Sequence, residues 1–199
     1  MPLLRVDRIG DDVWLGLWEM SEHPSFQPDL YREACLRYKS EGRQREYVCV
    51  RALLHQMMDD DALTIDHHES GKPVLSNGWH ISISHTKGYC AVMVSPHHRV
   101  GIDIEYVSNR VSRITHRFMR SDEHADTIQG QLLHWCVKET LYKLFSEENL
   151  GYEEMRLLPF EMEEHGQVSA ENLRDGILIN VSYLITPFFV FTWSIICLD

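Results

Sequence analysis

Gly101-Ile102-Asp103-Ile104-Glu105 and, further along the chain, Trp135-Cys136-Val137-Lys138-Glu139-Thr140-Leu141-Tyr142-Lys143 are the segments that decide the fold. In an extended strand successive side chains alternate between faces, so Asp103 and Glu105 point to the same side. The opposite side is apolar and suits a core: Val100, Ile102 and Ile104. The first segment therefore predicts a strand with an acidic face and a buried face.

The second segment predicts a helix that presents Trp135, Glu139 and Lys143 on one face, because these residues are four positions apart. Neighbouring carboxylates disfavour each other's ionisation unless a cation lies between them. Oxygen ligands suit Mg²⁺, which often shares its ligands with substrate phosphates. Three acids and a lysine thus indicate a phosphoryl-transfer site. The simpler alternative is a strand-end acid pair plus an exposed Glu–Lys pair worth about 0.2–0.5 kcal/mol, and either segment alone favours it.

Three further motifs accompany these segments in a fixed order: Gly71-Lys72-Pro73, Ser82-Ile83-Ser84-His85-Thr86, and Arg117-Phe118 leading to Glu123. Taken together, the five motifs resemble the signature of the 4′-phosphopantetheinyl transferases, with its GxDxE strand and W-x-x-K-E-x-x-x-K helix. At 199 residues, the chain resembles the larger surfactin-synthetase-activating type, a fused pseudo-dimer, rather than the small trimeric holo-acyl-carrier-protein synthases.

The resemblance implies an α+β fold of two similar, closely packed lobes, each a small, mainly antiparallel sheet with helices. The N-terminal lobe would comprise residues 1–98 and contact the nucleotide of coenzyme A. The C-terminal lobe, residues 99–199, would carry the metal-binding motifs and the catalytic helix. Sequence periodicity predicts helices over 42–58, 109–119 and 126–147. It also predicts a strand or hairpin around the turn Asn77-Gly78, and a hairpin over 177–185 and 188–197.

The family reaction moves the 4′-phosphopantetheine arm of coenzyme A to a serine of an apo acyl or peptidyl carrier protein and releases adenosine 3′,5′-bisphosphate. By match to the family motif, Asp103, Glu105 and Glu139 would bind Mg²⁺. Glu139 would also accept the serine proton, directly or through a metal-bound water. Lys143 would bind the pyrophosphate or neutralise the departing phosphate. Viewed alone, Lys143 is equally well explained as a surface lysine paired with Glu139.

The resemblance places Ser84, His85 and Thr86 against the phosphates of coenzyme A, and His85 joins Glu139 and Lys143 as a catalytic candidate. We expect His85 in a loop that follows a strand. Without the resemblance, a partly buried histidine bonded to the backbone is the better explanation.

Lysine and arginine side chains are candidates for the adenine side and the 3′-phosphate, because arginine's planar fork suits phosphate recognition. For any one arginine, a solvated helix face is at least as good an explanation. The candidates are Lys72 with Arg43, Arg45 or Arg51. The role of Glu123, which matches a family acid, stays open.

Four arginines follow helical spacing in the segment 109–119 and just beyond it: Arg110, Arg113, Arg117 and Arg120. Carrier proteins are typically acidic, and an acidic enzyme needs a local positive patch to attract one. We therefore hypothesise that this basic stripe docks the carrier. The plain alternative is a solubilising face.

Composition excludes several classes of function. The net charge of −11 argues against nucleic-acid binding. No apolar run is long enough for a membrane span, and the first residues do not resemble a secretory signal. Five cysteines without a C-x-x-C pair indicate reduced thiols and a cytoplasmic protein. The histidines lack zinc-ligand spacing. A fused pseudo-dimer would have no need to self-associate, so we expect a monomer.

Two other functions remain open: a Mg²⁺-dependent phosphohydrolase, and a non-catalytic coenzyme A or carrier-binding module. Clustered acids and a lysine also suit the phosphohydrolase. The ordered Gly-Lys-Pro, Ser-His-Thr and Trp-x-x-Lys-Glu set is explained only by the transferase. The sequence does not identify the carrier protein, and it does not distinguish Mg²⁺ from Mn²⁺.

Overall fold

A computed structural model describes residues 3–10, 12–20 and 28–197 of the chain. The chain divides into two compact units, Met1–His98 and Arg99–Asp199. Each unit combines helices with a mainly antiparallel sheet, which is the predicted α+β architecture. No helix among the described residues combines the length and apolar character that crossing a bilayer requires. The cysteines there are free thiols.

The described residues of the first unit form a four-stranded antiparallel sheet, two helices and a small two-stranded sheet. The four-stranded sheet has the order β1-β2-β6-β5, with β1 at Leu3–Arg8, β2 at Trp14–Glu19, β5 at His80–Thr86 and β6 at Tyr89–Ser95. The helices are α1 (Pro28–Arg37) and α2 (Glu41–Met58), and the small sheet pairs β3 (Ile65–His67) with β4 (Pro73–Leu75).

Helix α2 covers the sheet and supplies the core of the first unit, as its predicted apolar face requires. Gly16 of β2 lies directly beneath it: a Cβ atom there would overlap Met57, and would lie 2.8 Å from Leu53 Cδ1. A side chain at position 16 would therefore push the helix off the sheet. Strands β4 and β5 lie on either side of the Asn77-Gly78 turn, as the strand alternative predicts. They do not form the alternative hairpin, because β4 pairs with β3 and β5 pairs with β6.

The second unit is built on a five-stranded sheet with the order β7-β11-β10-β9-β8. Its strands are β7 (His98–Tyr106), β8 (Met155–Leu157), β9 (His165–Asn172), β10 (Ile177–Ile185) and β11 (Phe189–Cys197). Strands β10 and β11 form the predicted hairpin. Between β7 and β8 lie a 3₁₀ turn (Val111–Arg113), the short α3 (Thr115–Phe118), the long α4 (Ile128–Leu144) and a second 3₁₀ turn (Tyr152–Glu154).

Helix α4 begins where the Thr127 side chain accepts a hydrogen bond from the Gly130 N–H at 3.0 Å, an N-cap that satisfies one of the free donors of the first turn. It packs against β11. The face predicted to be apolar is buried: Leu133, Val137, Leu141 and Leu144. The core side of the helix thus follows from its sequence.

The predicted helix over 109–119 is wrong. The segment forms only the 3₁₀ turn and the four-residue α3, because so short a stretch cannot sustain an α-helix by itself and tertiary contacts decide its shape. Val111 and Phe118 are buried, while Arg110, Arg113 and Arg117 are exposed.

Candidate functional site

Asp103 and Glu105 lie on one face of β7, as strand alternation predicts. Asp103 is buried and Glu105 half-buried. Burial raises the pKa of the Cys136 thiol well above its ordinary value, and the negative charges of Asp103 and Glu105 raise it further. Since both charges act on a side chain of α4, the two carboxylates face the middle of that helix.

Gly101 allows α4 to approach β7 closely. A Cβ atom at position 101 would lie 2.6 Å from the Thr140 carbonyl oxygen and 2.6 Å from Leu144 Cγ. Glycine is required where another backbone comes this near. The glycine of the first motif therefore sets the distance between the strand that carries Asp103 and the helix that carries Glu139.

Lys143 pairs with the strand acid. Its Nζ donates hydrogen bonds to Asp103 Oδ1 at 2.8 Å and to the Ile102 carbonyl oxygen at 2.8 Å. The Lys143 side chain is 25% exposed and that of Asp103 only 6%, so the pair is largely removed from water. The alternative explanation of Lys143 as a surface lysine paired with Glu139 is therefore wrong.

Glu139 lies half-buried on the same side of α4, where its Oε1 accepts a hydrogen bond from the Tyr152 hydroxyl at 2.7 Å. The pKa of Glu139 is raised overall, chiefly by burial, although the Tyr152 hydrogen bond lowers it. The charge of Asp103 raises it further, while that of Lys143 lowers it. Glu139, Asp103 and Lys143 thus belong to one electrostatic cluster, although they come from two elements distant in sequence.

Lys138, the other lysine of the helix motif, is completely buried and points elsewhere. Its Nζ donates to the Phe118 carbonyl oxygen at 2.6 Å, to Glu123 Oε2 at 2.7 Å and to the Tyr152 carbonyl oxygen at 3.2 Å. All three hydrogen bonds of an ammonium group are therefore made inside the protein. Lys138 fastens the end of α3, the following loop and the Tyr152–Glu154 turn to α4.

Glu123, whose role the sequence left open, completes this buried ion pair. In addition to Lys138, its Oε2 accepts from the Arg120 N–H at 2.9 Å and its Oε1 from the Leu157 N–H at 2.9 Å. Arg120 itself bonds Asp122 at 2.9 Å. It is therefore engaged locally and does not continue the predicted basic stripe.

Glu46 of α2 brings two candidate residues of the first unit together. Arg43 Nη1 donates to Glu46 Oε2 at 3.2 Å, and His85 Nδ1 lies 3.6 Å from the same oxygen. Arg45 is half-buried on the same helix, and within the described residues its Nε is a buried donor without a hydrogen-bond partner. The first turns of α2 therefore bring Arg43 and, through Glu46, the imidazole of β5 together, while Arg45 offers a separate buried donor.

His85 does not lie in a loop: β5 continues through Thr86, and His85 pairs with Cys90 of β6. Ser84 and Thr86 are buried, while His85 is half-buried. Because side chains alternate along a strand, the two hydroxyls lie on the face opposite the imidazole. The predicted Ser-His-Thr group is therefore divided between the two faces of the sheet.

The remaining candidates of the first unit are Lys72 and Arg51. Lys72 precedes β4, in the turn where its carbonyl oxygen accepts from the His68 N–H at 2.9 Å. Arg51 is buried: its guanidinium carbon lies 3.5 Å from the centroid of the Tyr47 ring, and its Nη2 donates to the Ile65 carbonyl oxygen at 3.2 Å. Arg51 is thus committed to the core of the unit.

Two family models match the chain. The model of the 4′-phosphopantetheinyl transferase superfamily matches residues 99–187, and that of the 4′-phosphopantetheinyl transferase N-terminal domain matches residues 32–95. Together they cover more than half of the chain. The chain belongs to the 4′-phosphopantetheinyl transferase superfamily. A comparison with curated proteins found no match.

Membership in the superfamily gives the chain its general activity, transfer of phosphopantetheine, and its general partners, coenzyme A and a carrier protein. The two matches divide the candidate residues of the chain between them. The match to the N-terminal domain contains Arg43, Arg45, Lys72 and the Ser84–Thr86 segment. The superfamily match contains the acids of β7 and, on α4, Glu139 and Lys143.

The predicted metal ligands Asp103, Glu105 and Glu139 all offer carboxylate oxygens. In the part of the chain that the structure describes, no group of three or more His, Cys, Asp or Glu side chains is placed to hold one ion. The donors of Asp103, Glu105 and Glu139 are nevertheless all hard oxygens, and burial and the charge of Asp103 both raise the pKa of Glu139. A divalent cation offsets both effects, so the chemistry of the donors fits Mg²⁺, and the metal site stays a prediction.

Sequence reasoning missed two residues of the site, Tyr152 and Glu46. Tyr152 is 13 residues from Glu139 and no periodicity links them, so only the fold brings them together. Glu46 had a partial signal, because it lies three positions after Arg43 on a predicted helix. Its approach to His85 depends on the packing of α2 on the sheet.

Proposed function

We propose that this chain transfers the 4′-phosphopantetheine arm of coenzyme A to a serine of an apo acyl or peptidyl carrier protein, with Mg²⁺, and releases adenosine 3′,5′-bisphosphate. The observation that carries the proposal is the cluster in which Lys143 bonds Asp103 while Glu139 lies under the influence of both charges. We also propose the surfactin-synthetase-activating type, a monomer and a cytoplasmic location.

The proposed reaction is a displacement at the phosphorus that bears the pantetheine arm. The carrier serine oxygen forms a bond to this phosphorus, and the bond from phosphorus to the bridging pyrophosphate oxygen breaks. The electron pair leaves on adenosine 3′,5′-bisphosphate, and the serine proton passes to Glu139. The half-buried Glu139 carboxylate, held by the Tyr152 hydroxyl at 2.7 Å, would act as this base.

Lys143 is suited to bind the pyrophosphate, because its ammonium already lies at an acid in a partly buried site. An ammonium held in place before reaction stabilises the charge that develops on the leaving phosphate. Asp103, Glu105 and Glu139 would hold Mg²⁺, which supplies charge neutralisation at the pyrophosphate oxygens.

Residues of the first unit would bind the nucleotide of coenzyme A. Arg45 offers a buried Nε that has no hydrogen-bond partner among the described residues, and Arg43 and His85 share Glu46 Oε2. A phosphate could take the position of this carboxylate beside Arg43 and His85, since guanidinium and imidazole N–H groups donate hydrogen bonds to phosphate. Lys72 is proposed as a further contact. Ser84 and Thr86 are buried on the sheet face opposite His85, so any contact from them would be to a different part of coenzyme A.

The exposed arginines Arg110, Arg113 and Arg117 would dock the carrier. They are not ion-paired within the described residues, in contrast to Arg120, and they lie in a chain of net charge −11. A local positive patch on an acidic protein attracts an acidic partner and excludes others. The proposed docking surface is therefore the 3₁₀ turn together with α3.

Intact mass tests the proposal directly. The protein is incubated with coenzyme A, Mg²⁺ and a panel of apo acyl and peptidyl carrier proteins. A carrier that gains one phosphopantetheine arm, with the gain lost in Asp103→Ala and Glu139→Ala, supports it. Asp126→Ala is the matched control, because this carboxylate is 83% exposed and should leave transfer unchanged.

The same mixtures distinguish the alternatives. A phosphohydrolase would release free 4′-phosphopantetheine and adenosine 3′,5′-bisphosphate without a carrier. A binding module would bind coenzyme A, measured by calorimetry, and leave every carrier unmodified. Either result with folded protein would overturn the proposed transfer.

A further inference from the structure

Tyr152 contacts helix α4 through its backbone carbonyl and through its side-chain hydroxyl. Its carbonyl oxygen accepts from Lys138 Nζ at 3.2 Å, and its hydroxyl donates to Glu139 Oε1 at 2.7 Å. Two consecutive helix residues thus bond the backbone and the side-chain tip of the same tyrosine. A single loop contact would not fix the hydroxyl in this way.

The turn that carries Tyr152 is fixed independently of these contacts. Arg174 Nε and Nη2 donate to the two carboxylate oxygens of Glu154 at 2.8 and 2.7 Å. Glu154 Oε2 also accepts from the Gly151 N–H at 2.8 Å, and Arg120 Nη1 donates to the Glu153 carbonyl oxygen. Bidentate arginine–carboxylate pairs hold geometry well, so this three-residue turn is placed from several directions.

The ring of Tyr152 is held as well. It lies against Trp135, with ring centroids 5.4 Å apart, and Trp135 packs edge-on against Phe118 at 5.2 Å. Trp135 is one helical turn before Glu139, so the indole and the carboxylate of the same helix face contact one tyrosine. Aromatic packing restricts the ring to the orientation in which its hydroxyl reaches Glu139.

We propose that Tyr152 is a positioning residue that fixes the Glu139 carboxylate by binding Oε1 and leaves Oε2 for the reaction. Within the described residues Oε2 of Glu139 accepts no hydrogen bond. A carboxylate held by one oxygen has fewer rotamers, so its second oxygen is presented in one direction. This inference rests on the proposed function, in which Glu139 accepts the serine proton and contributes to the metal site.

Tyr152→Phe isolates the hydroxyl, because phenylalanine retains the ring packing on Trp135 and the carbonyl acceptor for Lys138. We expect kcat for arm transfer to fall about tenfold, with KM for coenzyme A and carrier unchanged. Mn²⁺ affinity, measured by EPR of free Mn²⁺ with coenzyme A and no carrier, should also weaken about tenfold, since hydrogen bonds to ligating groups typically contribute this much. Tyr142→Phe is the matched control. Tyr142 lies on α4, the helix that carries Glu139, and its hydroxyl makes only a 3.5 Å contact to Asn149.

A double-mutant cycle separates positioning from a purely structural role. Glu139→Asp withdraws the carboxylate from the hydroxyl, so adding Tyr152→Phe to it should cost little further activity. Additive losses, equal losses in Tyr142→Phe, or unchanged kcat and Mn²⁺ affinity in Tyr152→Phe would each overturn the inference. A Tyr152→Phe variant that melts at a lower temperature, but has the wild-type kcat when assayed well below that temperature, would also overturn the inference.

The two proposals fail in different ways. Wild-type protein that transfers the arm, with a Tyr152→Phe variant that matches it, removes the inference and leaves the function. Wild-type protein that modifies no carrier removes the function, and the Mn²⁺ titration then still tests Tyr152. Wild-type protein that binds no Mn²⁺ overturns the inference.

Discussion

Replacing Lys138 by methionine should destabilise the second unit severely. Methionine has a similar length and fills the volume of the side chain, so the substitution removes the charge and three hydrogen bonds while leaving no large cavity. Lys138 and Glu123 have side-chain exposures of 0% and 1%. The variant therefore leaves a carboxylate buried without its counter-charge.

The expected loss is about 3–5 kcal/mol, the usual cost of removing one partner of a buried ion pair. Glu123 would still accept from the Arg120 and Leu157 N–H groups, which favours the lower end of that range. A chain of this size loses about 2–4 °C of melting temperature per kcal/mol. The melting temperature of Lys138→Met should therefore fall by roughly 6–20 °C.

Urea unfolding followed by tryptophan fluorescence and circular dichroism measures this loss. The control is Lys138→Met combined with Glu123→Gln, which removes both charges. Glutamine has only one carbonyl oxygen to accept from the Arg120 and Leu157 N–H groups. We therefore expect the double variant to recover only part of the stability that the single variant loses, and to remain about 1–2 kcal/mol less stable than wild type. A single variant destabilised by less than about 1 kcal/mol, or a double variant no more stable than the single one, would refute the reasoning.

Two further predictions concern the strand–helix contact and the basic surface. Gly101→Ala should cost about 1–3 kcal/mol in urea unfolding and reduce arm transfer, because the new Cβ meets the Thr140 backbone. Gly42→Ala, whose nearest neighbour would be 3.6 Å away, should be neutral or slightly stabilising, and similar losses in both would contradict this. Arg110→Glu with Arg113→Glu should raise KM for the carrier roughly tenfold and spare KM for coenzyme A. Arg32→Glu on α1 is the control, and equal damage to both KM values would count against docking.

The sequence predicted the elements whose residues repeat with a clear period. The apolar face of α4, the alternation of β7 and the β10–β11 hairpin all follow from local pattern, because burial of one face is enough to select the element. The prediction of one continuous helix over 109–119 was wrong for the opposite reason. The arginines of this segment have helical spacing, but the segment buries only Val111 and Phe118. These contacts favour a 3₁₀ turn and one short helical turn.

At the site, the sequence by itself determined which chemical groups are available: the acids of β7, the glutamate and lysines of α4, and the arginines of α2. Only the tertiary structure decided their partners. It placed Lys143 on Asp103, directed Lys138 into the core to Glu123, and brought Tyr152 to Glu139. Motif spacing fixes the face of an element on which a side chain lies, whereas the choice of partner depends on how elements pack and on which charges are removed from water together.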